Sequence, residues 1–366
     1  MSDKPKSDLS RAFTEDGEHK THIGGQALIE GIMMRGKLNW AVAVREPSGN
    51  IYTEEHDLAS GKKKNKWMYW PLVRGCVALV ESLGLGYKAL EIAALHAYGD
   101  EEQGHDEVSA EARDEATVEM AETPQPESIE ETEEAGQGEE GGFGKGAMTV
   151  SMILGLILGI VLFIVAPAAL TNLIVGEYDD KTILWNVVDG ILRVAVFILY
   201  IWLIGRMEDI KRMFSYHGAE HKTIHCYEHG LELTPENARS FPRLHVRCGT
   251  AFLIMVMIIA ILVYTIVPLK PLIAAWGVPD GFVKLLLVII VRIIFLPVIA
   301  GVSYEITVKW AGAHPESPIV KVILWPGMQM QYLTTNEPDD SMLECAIAAM
   351  KMVVAREERD KVVKES

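Results

Sequence analysis

The chain has 366 residues, 49% of them hydrophobic, and a formal net charge of −16. That length leaves room for more than one structural region. Four widely spaced cysteines (Cys76, Cys226, Cys248, Cys345) with no Cys-x-x-Cys pair argue against a disulfide framework and fit a reducing compartment. Basic residues are too scattered, and interleaved with too few aromatics, for nucleic acid to be a partner.

Residues 1–20 are polar, lack the apolar core of a signal peptide and read as a disordered N-terminus. Gly24–Gly36 is rich in glycine and carries Glu30 and Arg35, a composition that brings backbone close to a ligand or another element. It contains neither nucleotide-binding glycine signature. Trp40–Arg45 and Asn50–Glu54 flank Pro47-Ser-Gly49 and predict two strands and a turn. Pro71–Tyr98 is apolar but broken by Arg74, Glu81, Lys88 and Glu91. It fits an interfacial amphipathic helix or a core helix, not a span. Residues 21–98 are thus expected to form a cytoplasmic β-containing module with a membrane-associated helix.

Between Gly99 and Gly141 stand seventeen Asp/Glu against the single Arg113, an excess equal to the whole net charge. Such a segment buries too little apolar surface to offset the entropy of ordering, so 99–146 reads as a disordered acidic linker. Met148–Val175, Trp185–Ile204, Thr250–Pro268 and Phe282–Gly301 are each apolar enough to predict a spanning helix. They give a four-helix region over 147–310, followed by a C-terminal segment over 311–366 with a terminal helix. The loop 206–249 carries Arg206, Lys211, Arg212, Lys222, Arg239, Arg243 and Arg247, whereas the other two connections are short and poor in Lys and Arg. Positive charge marks the cytoplasmic side, so this loop and both termini are expected there. The fold class expected is mainly α: a polytopic membrane protein with about four spans, an interfacial helix and a small N-terminal β module.

The cytoplasmic loop holds His217-Gly-Ala-Glu-His221, the reversed zincin spacing His-x-x-Glu-His. At about 100° per residue, His217 and His221 fall about 40° apart on a helix, and Glu228 about 20° from His217. His217, His221 and Glu228 are therefore the expected ligands of a divalent metal, zinc by donor type, with Glu220 beside them as general base. His225 and His229 fall about 80° and 120° from His217, too far round to share that ion. His245 and Cys248 lie ahead of the third span and are alternative ligands; with Cys248 bound the site would be more structural than catalytic. Arg193 and Arg292 stand inside predicted spans, where a charge is costly. They imply either an anion or lipid-phosphate site, or pairing with Asp189 or Glu305.

Several blocks together resemble one family. They are Gly24–Gly36, Trp70-Pro-Leu-Val-Arg-Gly75, Tyr216-His-Gly-Ala-Glu-His-Lys222, Leu233-Thr-Pro-Glu-Asn237, Arg247-Cys-Gly-Thr250, Leu296-Pro-Val-Ile-Ala-Gly-Val-Ser-Tyr-Glu305, and Pro326-Gly327 through Thr334-Thr-Asn-Glu-Pro338. In order and content they resemble the YqhQ-like bacterial integral membrane proteins, a family of unknown function sometimes described as metal-dependent; Val246 stands where a Pro is usual. The resemblance implies a bacterial cell membrane and a metal. Glu305 is placed by topology at the cytoplasmic end of the fourth span, where it would orient a ligand imidazole. Glu30, Arg35, Arg74 and Arg247 are expected as substrate or structural contacts. Two functions follow as expectations. One is a metal-dependent hydrolase acting on a lipid-linked or membrane-protein substrate at the bilayer. The other is a non-catalytic membrane scaffold or regulator in which any metal is structural.

Overall fold

The computed structural model describes residues 8–14, 21–58, 66–98, 145–176, 182–266, 276–278, 281–311, 314 and 317–365. The acidic linker therefore falls almost wholly outside the described residues, as does most of the N-terminal stretch.

The glycine-rich segment is a hairpin. Strands β1 (Gly24–Leu28) and β2 (Gly31–Arg35) pair antiparallel around Ile29-Glu30, where Glu30 takes a left-handed φ of 48°. The two strands expected next follow as β3 (Asn39–Arg45) and β4 (Ile51–Asp57), giving a four-stranded meander in chain order. Both faces of this sheet are covered, which is why β2 and β3 are apolar throughout rather than alternating. Met33, Trp40, Val42 and Val44 face Ala89, Ala93 and Ala97 of α2 (Val73–Ala97). Ile32, Met34, Ala41 and Ala43 face the opposite way. There they meet Tyr216, Ala219 and Ile224 of the histidine-bearing helix, and Leu343, Ala346, Met350 and Val353 of the C-terminal helix. Three segments far apart in sequence thus share one core.

The apolar part follows. A long helix runs as α3 (Lys145–Ile160), a π-helical turn (Val161–Val165) and α4 (Ala166–Val175). Then come α5 (Thr182–Ile204), α6 (Glu208–Glu228), a short α7 (Pro235–Arg239) and α8 (Gly249–Ile266). They are followed by α9 (Phe282–Tyr304), which continues as a π-helix over Glu305–Ala311, and by α10 (Pro318–Thr334) and α11 (Asp340–Glu365). Among the described residues three helices are long and apolar enough to cross a membrane: Ile153–Val175, Ile183–Ile204 and Phe282–Ala311. The fourth expected span, Thr250–Pro268, is helical as α8, but its qualifying apolar stretch is the shorter Met255–Tyr264.

Helix α2 packs as a core helix, one of the two alternatives for this segment. Its C-terminal half packs on the sheet, while Val80 and Leu83 remain exposed, as do Trp67 and Trp70 just before it. Its N-terminus is fastened to the end of α9 by Arg74, which donates from Nε to Glu305 at 2.6 Å.

Candidate metal centre

Helix α6 opens with Glu208 and Asp209, acidic residues that suit the positive end of the helix dipole. From Tyr216 to Cys226 every residue is buried, so the helix is enclosed on all sides. Gly218 allows this. A Cβ there would sit 2.1 Å from the Asn336 carbonyl oxygen, on the strap joining α10 to α11. Close contact with that strap presents the Thr334 carbonyl to His217.

His217, His221 and Cys248 converge, with one ligand atom of each lying within 4.8 Å of the others. His217 Nδ1 donates to Thr334 O at 2.8 Å, and its Nε2 faces Cys248 Sγ at 3.2 Å. His221 Nδ1 donates to Arg243 O at 2.6 Å, and its buried Nε2 has no hydrogen-bond partner. Two backbone carbonyls thus take the Nδ1 protons and turn both Nε2 atoms inwards, as the supporting hydrogen bonds of metal-binding histidines do. Neighbouring ligands of a tetrahedral zinc lie roughly 3.5 Å apart. The 3.2 Å separation of His217 Nε2 and Cys248 Sγ is already close to that edge. Two imidazoles and a thiolate are borderline-to-soft donors that suit zinc, so the residues fit the metal that the resemblance implies.

The electrostatics agree. Burial raises the Cys248 thiol, but the adjacent His217 and His221 outweigh it and hold the thiol well below its usual range. Burial pulls His217 down, yet Cys248 and Glu220 raise it to about 9. Without a metal the pair is an imidazolium–thiolate, and the His217 proton must leave if both atoms are to bind one ion.

Glu220 lies beside this cluster, enclosed by β1. Its Oε1 accepts from the Gly25 backbone N–H at 2.8 Å. A Cβ on Gly25 would sit 2.7 Å from Met33 O and 2.8 Å from Glu220 Cδ, so only glycine lets the strand approach this carboxyl. Burial raises the pKa of Glu220, and the nearby histidines offset only part of that rise.

Glu228, expected as the third ligand, lies elsewhere. Its Oε1 accepts from Thr21 N and Thr21 Oγ1, both at 3.0 Å, and its two oxygens receive Arg247. Burial would raise its pKa, but His245 and Arg247 reverse that and lower it to about 2. The reason for the misplacement is axial. Eleven residues bring Glu228 back to nearly the same angle as His217 but about 16 Å further along the helix. Cys248 takes the third corner instead.

His245 is held by Gln331, which accepts from its backbone N–H and donates to its carbonyl, each at 2.8 Å. Its ring stands 5.6 Å from that of His221 and 4.8 Å from that of His225, with Nε2 3.7 Å from Glu228 Oε2. It is therefore a neighbour of the three-residue cluster and not a corner of it. Glu305 does not orient an imidazole, because Arg74 and the Leu72 backbone N–H occupy it and carbonyls serve the histidines. Of the remaining expected contacts, Glu30 pairs with Arg212 beside Tyr216, Arg35 lies 3.6 Å from Glu81, and Arg247 serves Glu228. Thr334, Arg243, Thr21 and Gln331 were not expected to hold the site. Thr334 and Arg243 act on the two histidines only through backbone oxygens, which leave no side-chain signature.

The family described as "Protein of unknown function (DUF1385)" matches residues 70–356, which include all three cluster residues and Glu220. The chain belongs to that family. It is 29% identical over 334 residues to the "Uncharacterized protein YqhQ" of Bacillus subtilis (strain 168), covering 91% of this chain and 92% of that protein. No solved structure matches.

Proposed function

We propose that this family member is a metal-dependent membrane enzyme of the hydrolase type, with zinc held by His217, His221 and Cys248. The observation that supports this reading is the pair of Nε2 atoms turned by the Thr334 and Arg243 carbonyls towards one thiol, with the His221 lone pair buried and unused. Three protein ligands leave a fourth position open, the arrangement of catalytic rather than closed structural zinc. A metal bound there supplies Lewis acidity, polarising a carbonyl or phosphoryl oxygen. Glu220 then handles the proton. Gly25 anchors its Oε1, and burial raises its pKa, which makes the carboxylate a better proton acceptor than an exposed one. Cys248 directly precedes the apolar helix α8, which favours a substrate presented at the bilayer surface, lipid-linked or part of a membrane protein. The basic residues of 206–249 support a cytoplasmic side for that surface.

A structural metal in a non-catalytic scaffold is the competing reading, favoured by Cys248 as the third donor and by the near-complete burial of His217 and His221. Elemental mass spectrometry of the detergent-purified chain tests both readings at once. About one zinc per chain, lost in the His217→Ala/His221→Ala double variant and retained in Glu220→Gln, is expected. Absence of metal after supplementation would sink both forms of the site. Saturable binding of a hydroxamate to the zinc-loaded chain separates an open site from a closed one, since a closed structural site offers it no position.

A further inference from the structure

Within the spans, Arg193 and Arg292 both pair with Asp189, so the charges there answer one another. The unmatched surface lies at the edge of the apolar region, where the first turns of α2 meet α9. Two glycines bring those helices into backbone contact. A Cβ on Gly301 would sit 2.6 Å from Leu72 O, and a Cβ on Gly75 would sit 2.9 Å from Gly301 Cα and 2.7 Å from Tyr304 Cβ. Small residues serve the same purpose where helices cross in lipid. Around this point Arg74 pairs with Glu305, the Leu72 backbone N–H donates to Glu305 Oε1 at 3.3 Å, and Cys76 Sγ donates to Pro297 O at 2.9 Å. Leu72 takes a φ of 69°, which a bulky residue holds only where its surroundings fix it. The start of α2 is thus locked at one height on α9.

That height follows from helix geometry. From Phe282 to Gly301 the rise is about 28 Å, and a hydrocarbon layer is ~30 Å thick. Both residues belong to the apolar stretch Phe282–Ala311. When this stretch crosses a bilayer, Gly301 and the α2 residues seated on it stand where acyl chains give way to headgroups, and Glu305 lies beyond. The side chains displayed at that level are large and apolar. Trp67, in the short 3-10 turn Lys66–Tyr69, is 48% exposed, and Trp70 is 63% exposed. Leu79, Val80 and Leu83 follow along one side of α2 and are exposed too. Arg74, Glu81 and Lys88 fall roughly opposite them on the helical wheel, with Glu81 turned to Arg35 of the sheet. An apolar stripe beside a charged face suits a helix that lies in a bilayer surface without crossing it, and tryptophan favours that same layer.

We propose that Trp67, Trp70 and the Leu79–Leu83 stripe form a membrane-surface anchor, immersed in the lipid leaflet at the Glu305 end of α9. Its partner is the layer in which acyl chains meet headgroups. The far half of α2 packs on the sheet, and β1 of that sheet gives the Gly25 N–H to Glu220. The anchor therefore fixes the sheet, and with it the support of Glu220, to the bilayer, whether or not a metal is bound.

The experiment uses the full-length chain in bilayers of equal parts phosphatidylcholine and phosphatidylglycerol, either plain or brominated on the acyl chain near the headgroup. Emission from Trp67 and Trp70 is read as the difference between the chain and its Trp67→Phe/Trp70→Phe variant. That difference is expected to lose about half its intensity in the brominated bilayer, because interfacial side chains reach about 5–10 Å into the boundary. Aqueous iodide should leave it nearly unquenched. A Leu83→Trp variant reads the stripe separately, and its added emission should respond in the same way. Both reporters must respond, and a silent one overturns the anchor. Quenching by iodide instead of bromine would place the segment in water. Protection from both would mean that protein covers it, such as a second copy of the chain, and would overturn the lipid assignment as well.

Discussion

The two halves of α6 carry the same residue types and put them to different uses. Towards its middle, His217, Glu220 and His221 surround a point where a buried imidazole lone pair has no partner. At its end, His225, Glu228 and the adjoining His245 are also buried, but there Glu228 is satisfied by Arg247 and by both donors of Thr21. Burial lowers His225 well below its usual value, and Leu244 O receives its Nε2 proton at 3.0 Å. Composition does not distinguish a candidate site from a structural network here. An unspent lone pair alone does not either, since His225 Nδ1 is buried without a partner just as His221 Nε2 is. What distinguishes the two halves is that only at the middle do two imidazoles and a thiol converge on one point.

The contrast can be broken most forcefully at the end of the helix. Replacing Arg247 by Met leaves the fully buried Glu228 carboxylate without its cation, and is expected to cost about 3 kcal/mol of stability. Metal content should stay unchanged, as checked by chemical unfolding beside elemental analysis. Metal lost in parallel with stability would show that the two halves are one unit.

The two glutamates should also give opposite pH slopes in the metal-free chain. Glu228, with its pKa lowered to about 2, contributes stability that is present above its unfolded value of 4.5 and is lost as pH falls from there towards 2. Glu220 is raised, so its contribution is complete below 4.5 and is lost as pH climbs towards its higher folded value. Unfolding midpoints measured from pH 3 to 8 should therefore flatten on the alkaline side in Glu220→Gln, and that variant should leave the acid side as it was. A subtler change is Thr21→Val, which removes one of two Thr21 donors and should cost about 1.5 kcal/mol. An unchanged midpoint would mean that the Thr21 backbone N–H suffices.

Much of this arrangement is legible in the residues. The four apolar stretches, strands β3 and β4 and the helical spacing of His217 and His221 all follow from local periodicity, because each is decided by neighbours within a few positions. Glu228 and Cys248 show where local arithmetic stops. A helical wheel retains angle and discards rise, so it superimposes residues about 16 Å apart. Cys248, 31 positions from His217, reaches the site only through tertiary packing. Glu305 directly follows α9, but its partner Arg74 is 231 positions away and leaves no mark near it. The glycines of Gly24–Gly36 predict close backbone approach but not the hairpin of β1 and β2; Met33 O and Glu220 show why bulk is forbidden at Gly25.

The shared core has a consequence for biosynthesis. The Thr334 carbonyl that orients His217, and helix α11 that covers the second face of the sheet, are translated after every apolar helix described here. While the ribosome is still working through α9, the imidazoles of α6 have already emerged, but one of the carbonyls that orient them has not. Insertion into the bilayer and assembly of the histidine cluster are therefore successive events. A chain arrested before Thr334 would be inserted and helical yet unable to hold His217 in register. Register of the cluster then hinges on Thr334 and on the α11 residues that follow it.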